Sequence, residues 1–328
     1  MNKFYTSENG QLAPDSGLKE KNSPISFRMR NFPDSIRTAI DAPLINEEES
    51  KIEVHTNRQI DPLANLYRYY QKMCHDSTDL NPIEAIKYFL DNREYVGIKL
   101  SLKSIEALSI NNDSFCCSII PLLIDFLQDS PVESYFSEFM QALISVSHCA
   151  SSEIAEILLK NNSLDLAKRV KDRTYREQVL SLLAVLSKHG NVFEKEYLEE
   201  IKKHINYPGK APLVTSIVWP CLVCVENFLS QKESKAYCFF KEIENTSSLI
   251  ARLCHSVILY DENQDSDLVL MVLRVLLNVI NDLDHNLSPA YQFQTQFLAS
   301  LDSLKKSKDP SIVKISDKIR SLYNSKNT

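Results

Sequence analysis

The spacing of two cysteines is the first feature of this sequence that could indicate a chemical function, namely metal binding. Cys221 and Cys224 form a Cys-x-x-Cys pair, which is half of a zinc-ribbon motif. A ribbon needs a second such pair about fifteen to twenty residues further on, and only Cys238 and Cys254-His255 follow. Within an apolar helical run, cysteines three residues apart are packing residues. The sequence therefore predicts no metal site and no cofactor.

Motifs for catalysis are missing from the rest of the chain. The 7 histidines are scattered, and none has the H-E-x-x-H spacing of a metalloprotease. Glycine-rich phosphate loops and the G-x-S-x-G elbow are absent. Adjacent carboxylates such as Glu199 and Glu200 point to different faces of a helix. These observations predict a protein that is not an enzyme; a hydrolase or transferase site built from remote residues is the weaker alternative.

One dense group of positive charge is the best candidate for a binding patch. It spans a predicted turn between two repeats, diluted only by Asp165 and Asp172, and its members are Lys160, Lys168, Arg169, Lys171, Arg173 and Arg176. Such a patch suits an acidic peptide or phosphate groups, through charge-assisted, salt-sensitive contacts. A solvated ridge explains the same charges without a ligand. The net charge of -6 argues against a dedicated nucleic-acid binder.

Helix signals dominate from residue 61 onward. A capping residue precedes proline at Asp61, Asn81, Ser130, Ser288 and Asp309. Helices are predicted near 62–75, 82–92, 94–109, 114–128, 131–147, 152–161, 164–170, 174–188, 193–205, 212–230, 232–243, 247–260, 266–283, 289–306 and 310–323. Two prolines inside apolar runs predict a kink or break, and a glycine after one run predicts a left-handed cap; these are Pro121, Pro220 and Gly190. No alternating run suggests a strand, so the fold class is all-α.

Composition limits the class and the compartment. The 5 glycines are too few for a β-rich protein, and no apolar run is long enough for a membrane span. Cysteines inside apolar runs predict reduced core residues in the cytoplasm or nucleus, namely Cys116, Cys117, Cys221, Cys224 and Cys254. Residues 1–58 are polar, proline-containing and aperiodic, which predicts a disordered tail. Its basic stretch at residues 19–37 is alternatively an arm that docks on a partner or on the protein itself.

A repeat is the decisive feature of residues 59–328. Aligning Ser145, Val185 and Cys224, each near the end of an apolar helix, gives steps of 40 (185 − 145) and 39 (224 − 185) residues. A period near 40 is typical of armadillo and HEAT solenoids. One helical hairpin cannot cover its own apolar face, so stacked hairpins share a continuous core.

Three segments carry a resemblance to the armadillo family, and one of them, Phe139-Met140-Gln141-Ala142-Leu143, is similar to the lead into that family's third helix. Pro121-Leu122-Leu123-Ile124-Asp125-Phe126-Leu127 is similar to the family's second-helix pattern. Val275-Leu276-Leu277-Asn278-Val279-Ile280 is similar to the end of its third helix. The HEAT family, with the same period, competes closely. The resemblance covers about residues 95–325, and it implies a right-handed superhelix of helices for the repeat domain of residues 59–328.

The resemblance also implies a non-enzymatic scaffold that binds partner proteins or peptides in a concave groove. In importin-alpha, third-helix asparagines hold the peptide backbone, and a tryptophan four residues earlier forms pockets for basic side chains. Here only Asn278 matches the asparagine, and Arg274 stands at the tryptophan position. The other asparagine positions hold Ser145, Val185 and Cys224, and Trp219 begins no Trp-x-x-x-Asn. A divergent nuclear-import adaptor, whose tail binds a transport receptor, is the alternative; no membrane partner is expected.

Overall fold

The architecture is built from helices throughout the part of the chain that the structure describes. This computed structural model describes residues 61–74, 81–129, 133–161, 164–205, 215–259, 266–282 and 294–325, so the predicted tail lies outside it. No strand occurs within these ranges. The helices are α1 Pro62–Met73, α2 Pro82–Asn92, α3 Tyr95–Leu108, α4 Asp113–Asp129, α5 Phe136–Val146, α6 Ser152–Lys160, α7 Leu166–Lys171, α8 Arg176–Leu186, α9 Lys195–Ile205, α10 Thr215–Ser230, α11 Lys235–Lys241, α12 Ile243–Leu259, α13 Ser266–Asp282, α14 Gln294–Leu304 and α15 Pro310–Ser325.

Side-chain caps start several helices where the sequence predicts them. Asp61 Oδ1 accepts a hydrogen bond from Leu63 N at 3.0 Å, and Asn81 Oδ1 accepts one from Ile83 N at 3.0 Å. Asp309 Oδ1 caps α15 in the same way, at 2.8 Å from the amide two residues on. Each cap satisfies an amide that has no partner inside the helix. The remaining two predicted caps, at residues 130 and 288, lie outside the described residues.

Some helix boundaries differ from prediction by several residues. A 3-10 turn, Glu133–Tyr135, precedes α5, so the α-helix itself begins only at Phe136. Helix α12 begins at Ile243, four residues earlier than expected, whereas the predicted start of α14 near residue 289 lies outside the described residues. Helices α4 and α10 continue through Pro121 and Pro220, so neither proline breaks its helix.

Two layers of helices share one core. In the first layer, here called the central row, α1, α3, α5, α8, α10, α13 and α15 pack side by side in that order. The predicted third helices α5, α8, α10 and α13 are successive members of this row. In the second layer α2 contacts α4, and α9 contacts α12, which contacts α14. Neighbouring helices thereby bury the apolar faces that each hairpin leaves uncovered.

The predicted period reappears as hydrogen bonds between neighbouring repeats. Gln178 Nε2 donates to Ser137 Oγ, 41 residues earlier, at 2.6 Å. Tyr197 Oη donates to the carbonyl oxygen of Leu159, 38 residues earlier, at 2.6 Å. Equivalent helices one repeat apart therefore lie next to each other, as a period near 40 requires.

Gly190 is needed for close packing and not for a left-handed cap. No glycine of the described chain has a positive φ, so the predicted cap conformation is wrong. Gly190 lies in a 3-10 turn, Ser187–Val192, that packs against the start of α11. A Cβ there would lie 2.8 Å from Ser234 Oγ, and the Gly190 amide donates to Gln231 Oε1 at 2.7 Å. The turn approaches the next repeat too closely for a side chain.

The cysteines are free, and most of those predicted for the core are buried. All 8 are unpaired thiols. Cys221 and Cys224 are fully buried in α10, and burial raises the pKa of both thiols. Cys117 is the exception, because it is exposed on α4. The Cys-x-x-Cys pair is therefore core packing, as predicted.

Candidate functional site

A stripe of half-exposed residues runs across the central row. Each of four consecutive row helices contributes two residues one turn apart, and only Arg274 among them is more fully exposed. We call this surface the row face, and its members are Gln141, Ser145, Ser181, Val185, Trp219, Val223, Arg274 and Asn278. Packed helices lie about 8–10 Å apart, so the row face presents similar positions at regular intervals.

Polar side chains join neighbouring helices along this stripe. Lys99 Nζ lies 3.2 Å from Glu138 Oε1, linking α3 to α5. The Gln178 bond described above links α5 to α8, and Ser216 Oγ donates to Glu177 Oε1 at 2.7 Å, linking α8 to α10. These lateral contacts hold the row helices in register beside the exposed positions.

The pKa values of Lys99 and Glu138 reflect the ion pair between them. Hydrogen bonds to Tyr95 and then Glu138 raise the pKa of Lys99. Burial opposes ionisation of Glu138, but a backbone hydrogen bond and Lys99 together hold its pKa below the usual value. Both groups are therefore charged at neutral pH, and the pair leaves little uncompensated charge at this end of the stripe.

The repeat register on α10 differs by one residue from the sequence alignment. Ser145 and Val185 are half-exposed, whereas Cys224 is fully buried. Val223 is the half-exposed residue of α10 at that level, so the step from Val185 is 38 residues (223 − 185). Trp219 lies one turn earlier on the same stripe, which places the single tryptophan on the row face.

Solved structures with the same arrangement include designed armadillo repeat proteins. An engineered protein from the Northeast Structural Genomics Consortium matches with a TM-score of 0.54 and 14% identity, over 75% of this chain and 98% of that one. A designed armadillo repeat protein in complex with the peptide (KR)4 matches at 0.53 and 12%, over 74% and 100% of the two chains. Computationally designed armadillo repeat proteins for modular peptide recognition match equally, at 0.53 and 12%, over 74% and 100%.

The described helices form an armadillo-like solenoid. These likenesses at 12–15% identity establish the fold alone. No protein-family model and no curated protein matches the sequence. None of the solenoid's described helices combines the length and apolar character that crossing a bilayer requires.

Arg274 and Asn278, the residues predicted for partner binding, lie together on the last described part of the row face. Arg274 Nη2 lies 2.6 Å from Glu226 Oε1, so it links α13 to α10. Its side chain is 51% exposed, and an ion pair that exposed adds little to stability. The pair therefore remains open to rearrangement by a ligand. Asn278 is half-exposed one turn further along.

Two arginines of the predicted basic patch are engaged within the solenoid. The Arg169 guanidinium lies 4.6 Å from the centre of the Phe136 ring, and its Nε donates to the Leu164 carbonyl oxygen at 3.1 Å. Arg176 Nε donates to the carbonyl oxygen of Val170 at 3.0 Å, and its Nη2 donates to that of Lys171 at 3.2 Å. The second arginine thus satisfies carbonyls at the C-terminal end of α7.

The lysines of the patch and Arg173 are exposed. Lys160 Nζ pairs with Glu156 Oε1 at 2.5 Å, and Lys171 Nζ with Glu196 Oε1 at 3.5 Å. Lys168 and Arg173 form no ion pair with any described residue. The structure thus divides the predicted patch into two packing arginines and four exposed cations, of which two are paired. Its role in partner binding stays a prediction.

The lateral contacts and the half-exposed position of Trp219 on the row face were not predicted. Helical periodicity shows which residues share a face but not which polar partner lies on the next helix. One usable signal existed: Lys99 and Glu138, like Glu177 and Ser216, are 39 residues apart, which is one repeat. A search for complementary polar residues at that separation would have found both.

Proposed function

We propose that this protein is a non-enzymatic scaffold that binds an extended protein segment along the row face. The observation that carries the proposal is the stripe of similarly placed, half-exposed residues on α5, α8, α10 and α13. An extended chain advances about 3.3 Å per residue, so about three residues span the step between neighbouring helices. A peptide crossing the row would then meet an equivalent position at every step.

The chemistry of the stripe favours a ligand with both apolar and polar groups. Val185, Trp219 and Val223 are half-exposed apolar side chains at its centre. Gln141 and Asn278, on helices to either side, carry amides that both donate and accept hydrogen bonds. An extended segment would place apolar side chains against the centre while its backbone bonds to these amides.

A nuclear-import adaptor is the second candidate, because Trp219 lies on the row face. In that version, the ligand is a basic peptide. Arg274 argues against it, since a cation paired to Glu226 occupies part of the surface such a ligand would need. The general scaffold is therefore the first candidate, and a basic peptide in the binding test distinguishes it from the adaptor.

Selection of peptides from a random display library against the full chain tests the proposal. Trp219 is the single tryptophan, so its fluorescence reports ligands that reach the row face. We expect selected peptides to shift that emission and to lose at least tenfold in affinity with Val185→Lys or Val223→Lys. The lysine stem keeps apolar contact while its charged end obstructs the surface.

Ile157→Lys is the matched control, because Ile157 is 44% exposed on α6 and outside the central row. It should leave peptide affinity unchanged. Selected peptides that bind equally well to the row-face variants would contradict the proposal, as would a selection that yields none. A lysine- and arginine-rich peptide that alone binds, and that shifts Trp219 emission, would favour the adaptor instead.

A further inference from the structure

Four side chains of the kinds that bind transition metals meet where two repeats join. The Cys116 and Cys149 sulfurs and a ring nitrogen of His148 all lie within 4.8 Å of one another. Within the described ranges, no other set of three or more histidine, cysteine or acidic side chains converges in this way. Cys116 belongs to the first turn of α4, and the other two belong to the 3-10 turn Ser147–Cys149 after α5.

Asp113 adds a carboxylate oxygen to this group. Its Oδ1 lies 3.2 Å from His148 Nε2 and 3.3 Å from Cys149 Sγ. Ligand atoms about 2.0–2.3 Å from a tetrahedral zinc ion are about 3.3–3.8 Å from one another. The two distances to Asp113 are therefore close to those that a shared zinc ion requires.

The orientation of the His148 ring also favours a metal site. Its Nδ1 lies 2.7 Å from the carbonyl oxygen of Ser145, which can only accept, so Nδ1 carries the proton. In the neutral ring, Nε2 is then an unprotonated acceptor that faces the carboxylate oxygen of Asp113. This contact is favourable when a metal ion bridges the two atoms, or when Nε2 carries a second proton and pairs with the carboxylate. Donation of the second ring N–H to a backbone carbonyl is also the usual arrangement of a zinc-bound histidine.

The backbone around the cluster is held in place by both repeats. Ala150 N donates to the carbonyl oxygen of Ser147 at 3.0 Å, which closes the 3-10 turn. From the next repeat, Lys188 Nζ donates to the His148 carbonyl oxygen, and His189 Nε2 bonds to that of Ala150 at 2.8 Å. The ligands are thus positioned before any ion arrives.

Burial is graded across the cluster. Cys116 is fully buried, whereas the His148 and Asp113 side chains are 44% and 80% exposed. An ion can therefore enter from solvent and bind with one side against the core. Two thiolates, an imidazole and a carboxylate form a ligand set that zinc accepts and that magnesium and calcium do not prefer.

We propose that Asp113, Cys116, His148 and Cys149 form a zinc site that joins α4 to the turn after α5. On binding, the two thiols release their protons to solvent and their sulfurs bond to the metal. The ion crosslinks the start of α4 to the turn after α5, so it stabilises the packing of these two elements. This site is independent of the row face and of its ligand.

Zinc titration of the full chain tests the site. The protein is stripped with a chelator, kept reduced and titrated with zinc against a chromophoric competitor. We expect one tight equivalent per chain, a higher melting temperature with zinc, and at least a tenfold loss of affinity in Cys149→Ser and in His148→Gln. Cobalt should give the visible bands of a tetrahedral site together with thiolate-to-cobalt charge-transfer absorption, and Cys149→Ser should weaken the latter.

Cys117→Ser is the matched control, because Cys117 is exposed, adjacent to Cys116 and outside the cluster. It should bind zinc like the original chain. Cys149→Ser and His148→Gln change side chains that reach the surface, and their melting temperatures without metal show whether they fold. The site would be overturned if the original chain bound no more zinc than the Cys149→Ser variant. The contact between His148 and Asp113 would then be an ion pair only. Loss of binding in Cys117→Ser alone would overturn it as well.

Discussion

Gly97→Ala tests how tightly the first described repeat is packed. Gly97 lies in the first turn of α3 and is buried, and since its φ is not positive, alanine fits the backbone there without strain. In a helix, alanine is more stable than glycine by about 1 kcal/mol. At this position, however, the added Cβ would lie 2.7 Å from Phe89 Cε1 and still closer to two other ring atoms.

The Phe89 ring has little room to move. It is fully buried, and its centre lies 5.5 Å from that of Tyr69, 5.9 Å from Tyr70 and 5.2 Å from Tyr88. Overpacking a core costs about 1–3 kcal/mol, and this crowded site belongs at the upper end. After subtraction of the helix-propensity gain of about 1 kcal/mol, the net destabilisation is about 2 kcal/mol.

Hydrogen exchange of peptides from α2 and α3 measures this change locally. A loss of about 2 kcal/mol makes the open state about 30-fold more populated, so exchange should accelerate by that factor. The control is the same substitution in a Phe89→Ala background. With the ring removed, Gly97→Ala should instead slow exchange, since only the propensity gain of about 1 kcal/mol remains. Slower exchange in the original background, or equal acceleration in both, would refute the reasoning.

Three further predictions concern contacts between repeats. Gln231→Ala removes a side chain that bonds to the 3-10 turn of the previous repeat through both its amide nitrogen and its oxygen, so it should cost about 1–3 kcal/mol in denaturant unfolding. The control is Gln128→Ala, at an exposed position of α4, which should lower the free energy of unfolding by less than about 0.5 kcal/mol. Equal losses of stability in the two variants would contradict the role given to Gln231. Arg169→Lys loses the planar contact with two aromatic rings and should lower the melting temperature. The control Arg173→Lys should leave it unchanged. A larger decrease in Arg173→Lys than in Arg169→Lys would be inconsistent with the packing described. Burial, with a nearby carboxylate, raises the pKa of Tyr197 from 10.0 to about 12. The stability that the neutral Tyr197 side chain gives the folded state is therefore complete below pH 10 and is lost as the pH rises toward 12. The stability difference between the original chain and Tyr197→Phe should therefore shrink over that range in pH-dependent unfolding, and a constant difference would argue against it.

Helix positions were predictable because their signals are local. The capping side chains of Asp61, Asn81 and Asp309 act on amides two residues away, which the sequence displays directly. The apolar periodicity of α5 and α8 likewise shows which side of each helix is buried. The period near 40 then follows from the spacing of similar helices, and it was sufficient to predict that they pack side by side.

The candidate site was only partly predictable. The sequence identified Arg274, Asn278 and the basic patch, but it could not show that Arg169 contacts an aromatic ring or that Arg176 bonds to α7. Nor could it show that Val223, and not Cys224, reaches the surface, because a shift of one residue moves a position by about 100° around a helix. These properties depend on which neighbour each side chain meets.

The sequence alone determined an all-α chain of capped, amphipathic helices repeating about every 40 residues, since each of those features depends on residues close together in the chain. Tertiary structure decided which distant residues meet where repeats join. His148 and Cys149 come 35 and 36 residues after Asp113, and no local pattern connects them. Gly190 shows the same principle, because its requirement arises from Gln231 and Ser234 in the next repeat. Stacking converts a separation of about one repeat into direct contact, and the contacts that result depend on the exact orientation of the packed helices.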